Sequence, residues 1–313
     1  MKKLIASLFS AAVLFGAAPL GAAALDPLHT VKQDGVTYSF AVSDGNAEIV
    51  SVSGAKGSIT IPSKLETYSV TAIGDKAFLG QTELEKAVLP KTLTAIGGSA
   101  FAGCSALTEL TIPDSVKTVG SSAFMSCYAL GTVKIGSGVT AIPDDCFFSC
   151  PALTEVTLPA KLKSIGNEAF FGCPDVEVTI PSTVTEIGSN ALGMQADAHS
   201  SMIVRIEDFL IFGKKGSFAE EYAAEQGIDF LDPDDFLAGD VNDDSKVDAK
   251  DASAVLTEYS KASTGAALTF SRKQRMIGDM DADGAINSKD ASKILIEYAR
   301  LSTQWFFALV RQE

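Results

Sequence analysis

Residues 108–130 read TELTIPDSVKTVGSSAFMSCYAL, and the next 23 residues, 131–153, read GTVKIGSGVTAIPDDCFFSCPAL. The segment before them, 85–107, and the segment after them, 154–176, follow the same pattern at the same length. A fixed period of this kind is the sequence signature of a repeat architecture. The repeated aromatic and thiol positions are Phe101, Phe124, Phe147 and Phe170, and Cys104, Cys127, Cys150 and Cys173.

Each repeat contains a short strand-like segment with one apolar face. Leu107, Leu110 and Ile112 are spaced as L-x-x-L-x-L, and the last positions alternate apolar with polar residues. Pro113 then ends the strand because proline has no N–H to donate to a sheet. A second apolar pair and an Ala-Phe segment with helical spacing to the Cys complete the repeat. One such coil cannot bury these groups alone, so the pattern predicts stacked coils in a solenoid.

These repeats resemble the BspA-like (Treponema-type) leucine-rich repeat family, in units of I-P-x-x-V-x-x-I-G-x-x-A-F-x-x-C-x-x-L from about residue 58 to 194. The resemblance implies 23-residue coils with a parallel β face over residues 58–231, including a C-terminal cap. In that cap we expect a helix over Ser217–Gln226, ended by Gly227, and a last strand over 228–230. Residues 25–57 predict an N-terminal β cap around an Asp44-Gly45 turn.

The repeated Phe and Cys positions each allow two interpretations. The Phe residues form either a buried core or an exposed platform for stacking sugars. The expected strand face is instead polar, which favours the core. The Cys residues form either inter-coil disulfides or buried thiols; parallel side chains on stacked coils do not give the disulfide torsion, which favours free thiols. A third series is either a partner-binding stripe or ordinary packing: Leu79, Ala102, Met125, Phe148 and Phe171.

Two acidic segments 39 residues apart, GDVNDDSKVDAKD at 239–251 and GDMDADGAINSKD at 278–290, are spaced like EF-hand calcium loops. Hard oxygen ligands at loop positions 1, 3, 5, 7, 9 and 12 suit Ca²⁺. We call residues 240–251 the first loop and residues 279–290 the second loop. The predicted calcium ligands are Asp240, Asn242, Asp244, the carbonyl of Lys246, Asp248 and Asp251, and Asp279, Asp281, Asp283, the carbonyl of Ala285, Asn287 and Asp290.

The two loops differ at position 6, which holds Gly284 in the second loop and Ser245 in the first. A sharp turn prefers glycine there, so the affinity of the first site is the less certain one. The apolar residues at position 8, Val247 and Ile286, are expected to pair the loops. The helices that follow are expected to bury Val255, Leu256 and Tyr259, and Ile294, Leu295 and Tyr298.

A duplicated loop and helix without a preceding helix resembles the type I dockerin, here over residues 232–303 after a short acidic linker. The resemblance implies that this domain binds a cohesin of a scaffoldin. It places the partner-facing positions at Ala249, Lys250, Thr257 and Lys261, and at Ser288, Lys289, Ile296 and Arg300. The Ala-Lys and Ser-Lys pairs differ from the Ser-Thr often found in such modules. In the tail, residues 304–313, Trp305 either clasps onto Phe236 or belongs to a loose apolar end.

Residues 1–24 predict a secretory signal peptide. Lys2 and Lys3 precede an apolar run that ends in an Ala22-Ala23-Ala24 site. The run is also near the length of a signal anchor, but Pro19 and the small residues favour cleavage before Leu25. We therefore expect a secreted protein with no transmembrane segment after cleavage, associated with the cell surface through a cellulosome-like complex.

Composition excludes several function classes. A net charge of −14 argues against binding to nucleic acid, and two histidines leave little room for His-based catalysis. No hydrolase, nucleotide-binding or zinc-protease motif is present. The overall prediction is an α+β chain, with a leucine-rich-repeat solenoid followed by a small all-α calcium-binding domain. It would act as a non-catalytic interaction protein whose repeats present a protein- or glycan-binding surface. The alternatives are a polysaccharide-degrading component of glycoside hydrolase type and a surface adhesin.

Overall fold

The computed structural model describes residues 28–200 and 202–310, so the predicted signal peptide lies outside the described residues. Twenty strands and four helices follow one another along these residues. The strands are β1 (His29–Gln33), β2 (Val36–Ser43), β3 (Asn46–Ser53), β4 (Gly57–Thr60), β5 (Lys64–Leu65), β6 (Tyr68–Ile73), β7 (Leu84–Val88), β8 (Ala95–Ile96), β9 (Glu109–Thr111), β10 (Thr118–Val119), β11 (Thr132–Lys134), β12 (Ala141–Ile142), β13 (Glu155–Thr157), β14 (Ser164–Ile165), β15 (Glu177–Ile180), β16 (Glu186–Ile187), β17 (Met194–Ala196), β18 (Ile203–Arg205), β19 (Leu210–Gly213) and β20 (Asp229–Leu231). The helices are α1 (Phe218–Gln226), α2 (Ala249–Thr264), α3 (Arg272–Gly278) and α4 (Ser288–Val310).

A parallel sheet of eight strands forms one face of the solenoid, in the order β20-β19-β15-β13-β11-β9-β7-β4. Its register joins equivalent positions of successive repeats; Thr132 pairs with Glu109 on one side and with Glu155 on the other. In β9 the central Leu110 is buried, whereas Glu109 and Thr111 are exposed. The predicted solenoid with a parallel β face is confirmed.

The N-terminal cap is an antiparallel sheet of β1, β2 and β3 that continues into the solenoid, because β3 pairs in parallel with β6. The turn between β2 and β3 lies at Asp44 and Gly45, both with positive φ, as the sequence predicts. The hairpin of β1 and β2 around Asp34 and Gly35 adds a strand that the sequence analysis did not foresee.

A stack of phenylalanine rings fills the solenoid core. Neighbouring rings are 4.7–5.6 Å apart between centroids, with interplanar angles of 11–15°. All of them are fully buried: Phe78, Phe101, Phe124, Phe147 and Phe170. The burial of the last four confirms their prediction as core residues. An offset stack suits aromatic rings and adds about 0.5–1.5 kcal/mol per pair to the area that each ring buries.

The repeated cysteines are buried free thiols, as predicted. Each thiol donates to a Phe carbonyl of the preceding coil; the Sγ of Cys127 lies 3.3 Å from the carbonyl oxygen of Phe101. Burial raises the pKa of Cys104 and Cys150 to about 12, so both remain protonated at neutral pH. These cysteines therefore serve packing and hydrogen bonding between coils.

The Ala-Phe segment of each repeat is a succession of tight turns, so the helix suggested by its spacing is wrong. Its backbone bonds run to the next coil: the N–H of Phe101 donates to the carbonyl of Ala123 at 2.8 Å. Coils approach closely just before this segment, where a Cβ on Gly120 would lie 2.3 Å from the nitrogen of Gly98. Only glycine tolerates that contact.

The solenoid ends as predicted. Ser217 precedes α1, Gly227 follows it with a φ of 66°, and β20 is the last strand of the sheet. After β20 come the acidic loops and helices, and α2 packs against α4. The helix α4 continues through Val310, so residues 304–310 extend it, but the side chain of Trp305 lies outside the described part of the chain. None of the helices within residues 28–310 combines the length and apolar character needed to cross a bilayer.

The sequence analysis expected three apolar residues of each helix to be buried, and this expectation is wrong for two of the three. Val255 and Ile294 are fully buried, but Leu256 and Leu295 are each 44% exposed. Successive residues of a helix point about 100° apart, so position 256 cannot share the direction of position 255. Tyr259 and Tyr298 are exposed at 40% and 44% as well. In α2 the inward position beside Val255 is taken by Glu258 instead.

Candidate metal centre

Each acidic loop is closed by a carboxylate at position 12. Asp251 in α2 and Asp290 in α4 are both fully buried. The two oxygens of Asp290 accept the N–H groups of Met280 and Asn287, each at 2.9 Å. Those of Asp251 accept the N–H of Asp248, equivalent to Asn287, at 2.9 Å, and that of Asn242, one loop position later than Met280, at 3.3 Å. The last predicted ligand therefore ties both ends of its loop to the first turn of a helix.

The carboxylate at position 1 organises the sharp turn. Asp240 accepts the N–H groups of Asp244 at 3.1 Å and Ser245 at 2.8 Å. In the second loop Asp279 accepts those of Asp283 at 3.2 Å and Gly284 at 2.8 Å. The two loops thus have the same hydrogen bonds at equivalent positions, which is what a duplicated ligand site requires.

Positions 5 and 9 also carry matching local contacts, whereas the contact of position 3 is present in the first loop alone among the described residues. Asn242 Oδ1 accepts the N–H of Asp244 at 2.9 Å, and Asp244 Oδ1 accepts that of Lys246 at 3.1 Å. In the second loop Asp283 Oδ1 accepts the N–H of Ala285 at 2.9 Å. Position 9 caps the following helix in both loops, through Asp248 with the N–H of Lys250 at 2.6 Å and Asn287 with that of Lys289 at 2.8 Å.

The second loop gathers carboxylates as a cation site would. One oxygen each from Asp279, Asp281 and Asp283 lies within 4.8 Å of the others. Within the described residues, Asp281 Oδ1 is buried and has no hydrogen-bond partner. A buried carboxylate oxygen without a donor is costly unless a cation neutralises it. The donors are all hard oxygens, so the residues fit calcium.

The first loop is built alike but has an amide in place of one of these carboxylates. Position 3 is Asn242, so positions 1, 3 and 5 bring together two carboxylates and one amide. Burial raises the pKa of Asp240 above its usual range, and the N–H groups of Asp244 and Ser245 oppose that shift. Position 6 requires a left-handed backbone in both loops, with φ of 64° at Ser245 and 82° at Gly284. The serine therefore has the less favourable conformation of the two.

The predicted partner-facing residues lie on the surface, with one exception. Ala249, Lys250 and Thr257 in the first half, and Ser288, Lys289, Ile296 and Arg300 in the second, are all exposed. Lys261 is half-buried, and its Nζ lies 3.3 Å from Glu258 Oε2 and 2.5 Å from Thr269 Oγ1. Its counterpart Arg300 instead donates to Glu297 on the helix surface, with Nε 2.8 Å from Oε2. The two halves of this surface are thus similar but not equivalent.

Glu258 is a structural residue that the sequence analysis missed. Its side chain is almost fully buried and accepts the N–H groups of Thr269 at 2.7 Å and Phe270 at 2.8 Å. Burial favours a raised pKa, but these bonds, with those from the Thr269 hydroxyl and Lys261, outweigh it and hold the pKa below its usual value. The carboxylate fixes the connection between α2 and α3. The sequence signal for its burial was its position, because it follows Val255 by three residues in a helix and residues three apart lie on the same face.

Comparisons with known proteins match two regions of the chain. Residues 71–196 match the BspA type leucine rich repeat region, in six copies, and residues 238–298 match the dockerin type I domain. No curated protein matches the chain.

Solved structures of leucine-rich repeat proteins are similar to this chain. A leucine rich repeat protein of T. pallidum is 22% identical and covers 62% of this chain and 95% of its own, with a TM-score of 0.46. A leucine rich cell surface protein from Faecalibacterium prausnitzii is 26% identical over 61% of this chain and 66% of its own, with a TM-score of 0.42. A leucine-rich repeat protein from Eubacterium ventriosum is 26% identical over 52% and 48%, with a TM-score of 0.41.

Proposed function

We propose that this chain, which carries a BspA-type leucine-rich repeat region and a C-terminal type I dockerin domain, is a secreted, non-catalytic component of a cellulosome-type complex. Its dockerin domain binds a cohesin of a scaffoldin in a calcium-dependent way. Its repeats present a binding surface for a protein or a glycan. Both domains are of non-catalytic kinds. Most of the acidic side chains of the chain lie in the loops or in the repeats.

The observation that carries this proposal is the duplicated loop. Type I dockerin domains bind calcium. Here the position-1 carboxylates make the same contacts in both loops, and both position-12 carboxylates accept the N–H of position 9. We assign one calcium ion to each loop, held by the predicted oxygen ligands at positions 1, 3, 5, 7, 9 and 12. Each ion would neutralise four carboxylates that otherwise repel one another over short distances. Calcium thereby fixes α2 and α4, the helices that carry the partner-facing residues.

The cohesin test uses the full chain and a panel of type I cohesins, with millimolar calcium or with EDTA. Retention in calcium and loss in EDTA are expected. The double variant Lys250→Glu/Lys289→Glu reverses one exposed charge in each half and should abolish retention, because either half alone offers a similar face. The matched control, Lys91→Glu/Lys161→Glu, changes two exposed lysines of the solenoid and should bind normally. Equal retention in EDTA, or none of the panel retained in calcium, contradicts the proposal.

The repeat surface is tested separately. The exposed strand positions form two polar columns along the parallel sheet, Glu109, Thr132 and Glu155 in one and Thr111, Lys134 and Thr157 in the other. The full chain and its Lys134→Glu variant are compared on a glycan array and in a protein pull-down. We expect to identify a ligand that binds the unchanged chain and does not bind the variant. Turnover of plant polysaccharides by the purified protein would contradict the non-catalytic assignment.

A further inference from the structure

The outer face of the last two strands of the solenoid sheet is covered by the dockerin domain. The strands β19 and β20 pair with each other at the C-terminal end of the sheet. Here α3 packs against β20, and Leu210 of β19 and Leu231 of β20 are buried in the same apolar cluster as Val241 and Ile277. The solenoid and the dockerin domain therefore share a core.

Two ion pairs flank this shared core. Arg272 of α3 pairs with Glu177 at the start of β15. The Nη2 of Arg275 lies 3.1 Å from Oδ2 of Asp208, in the segment just before β19. The connection between the domains is also held, because Asp232 is buried and accepts the N–H groups of Lys215 at 2.7 Å and Asp234 at 2.9 Å. A basic helix thus meets the acidic end of the solenoid.

The same helix is attached to the first calcium loop. The Nζ of Lys273 lies 2.6 Å from Oδ2 of Asp243, and Gln274 Nε2 lies 3.0 Å from the carbonyl oxygen of Val241. Val241 and Val247, at loop positions 2 and 8, are buried in the shared core. A cavity of about 340 Å³ lies beside this contact and is lined by Asp240 together with cap residues such as Phe230. An ordered first loop therefore stabilises the position of α3, the helix that contacts the end of the solenoid.

We propose that α3 and the first loop form an intramolecular docking surface for the C-terminal end of the solenoid, and that calcium in the first loop locks it. This inference rests on the proposed calcium sites. With calcium bound, the repeat surface is held in one orientation relative to the scaffoldin. Without calcium the dockerin domain releases the solenoid end and uncovers β20. Because coupling is reciprocal, docking also raises the calcium affinity of the first loop.

The test is hydrogen exchange of the full chain, followed by mass spectrometry, with calcium alone or with EGTA. Calcium should slow exchange in β19 and β20 by about tenfold or more, within the range of ordinary coupling between two sites. The variant Glu177→Lys/Asp208→Lys places like charges opposite α3 without touching either loop, and should remove this effect in the solenoid while protection of residues 239–303 persists.

A charge swap and a matched control complete the design. Adding Arg272→Glu/Arg275→Glu to the lysine variant should restore calcium-dependent protection of β20. Glu155→Lys changes the equivalent column position one coil earlier and should behave like the unchanged chain. Milder variants, Glu177→Gln and Asp208→Asn, guard against misfolding.

The outcomes separate this inference from the proposed function. If calorimetry detects no calcium binding, both fail. If calcium binds and protects only residues 239–303, with β19 and β20 exchanging equally in calcium and EGTA, the docking inference alone is overturned.

Discussion

Replacing Asp290 by alanine removes the carboxylate that ties the second loop to the first turn of α4. In the unchanged protein its two oxygens accept two backbone N–H groups at 2.9 Å, and the side chain is fully buried. A hydrogen bond to a charged group contributes about 1.5–3 kcal/mol, so the two bonds together contribute about 3–6 kcal/mol. A core of ~65 residues supplies only about 3–5 kcal/mol. The calcium-free variant should therefore lose α2 and α4.

Calcium cannot fully restore the variant, because the same carboxylate is a predicted ligand. A ligand at a thousandfold excess over its Kd adds about 4 kcal/mol to the folded form, and a weakened site adds less. Asp251→Ala should be milder than Asp290→Ala, since one of its two bonds is longer, at 3.3 Å. Asp290→Asn keeps one acceptor oxygen and should fall between the unchanged chain and the alanine variant.

The assay combines far-ultraviolet circular dichroism in EGTA with calorimetric calcium titration of the full chain. Glu297→Ala is the matched control, because it removes a carboxylate from the same helix whose bonds, among the described residues, are to Arg300 at the surface. The reasoning is refuted if Asp290→Ala keeps its helical signal in EGTA, or if Asp251→Ala/Asp290→Ala binds two calcium ions with unchanged affinity.

Four further experiments test other contacts. Ser245→Gly should raise the melting temperature by relieving a left-handed backbone, a gain of about 0.5–1 kcal/mol after the entropy of glycine is subtracted; Gly284→Ser should do the reverse, and equal melting temperatures would contradict it. The ladder thiols, such as Cys104, should react with iodoacetamide at pH 8 only after denaturation, because burial raises the pKa of Cys104 to about 12; rapid labelling of the native chain would argue against burial. Phe124→Ala should destabilise the solenoid by about 3–5 kcal/mol in urea unfolding, whereas a loss under 1 kcal/mol would be incompatible with a fully buried ring. Glu258 has a lowered pKa in the folded state, so its stabilisation is complete above its unfolded pKa of about 4.3 and is lost as the pH falls through the folded value; thermal unfolding of Glu258→Gln should match the unchanged chain at low pH and be less stable at pH 7.

The solenoid could be predicted because its core residues recur at a fixed distance. Phe101 and Phe124 occupy the same position in successive coils, so the period itself states which residues stack. The path of the chain between them could not be read in the same way. Spacing of three and four residues is shared by a helix and by consecutive turns, and what decides between them is that the N–H of Phe101 bonds the next coil.

The hydrogen bonds at the predicted ligand positions were predictable for a related reason: each acidic loop is a local structure. All contacts of Asp240 and Asp290 described here lie within twelve residues along the chain. By contrast, Lys261 looks like an exposed partner contact in the sequence, and only the fold brings Thr269 to its side chain. Whether a polar side chain is free to meet a partner depends on such nonlocal neighbours.

The shared core between the domains had no sequence signal for the same physical reason. In the sequence, Leu210 and Leu231 look like the apolar positions of alternating strands in the C-terminal cap. Arg272 and Arg275 look like ordinary surface charges. The acidic, proline-containing connection is typical of a linker between independent units, and a solenoid joined in that way would be unaffected by chelation. In the structure Asp232 holds that connection as a turn, and α3 covers β20. Since the loop residue Val241 lies in the same cluster as Leu231, removing calcium should loosen the end of the solenoid as well as the dockerin domain.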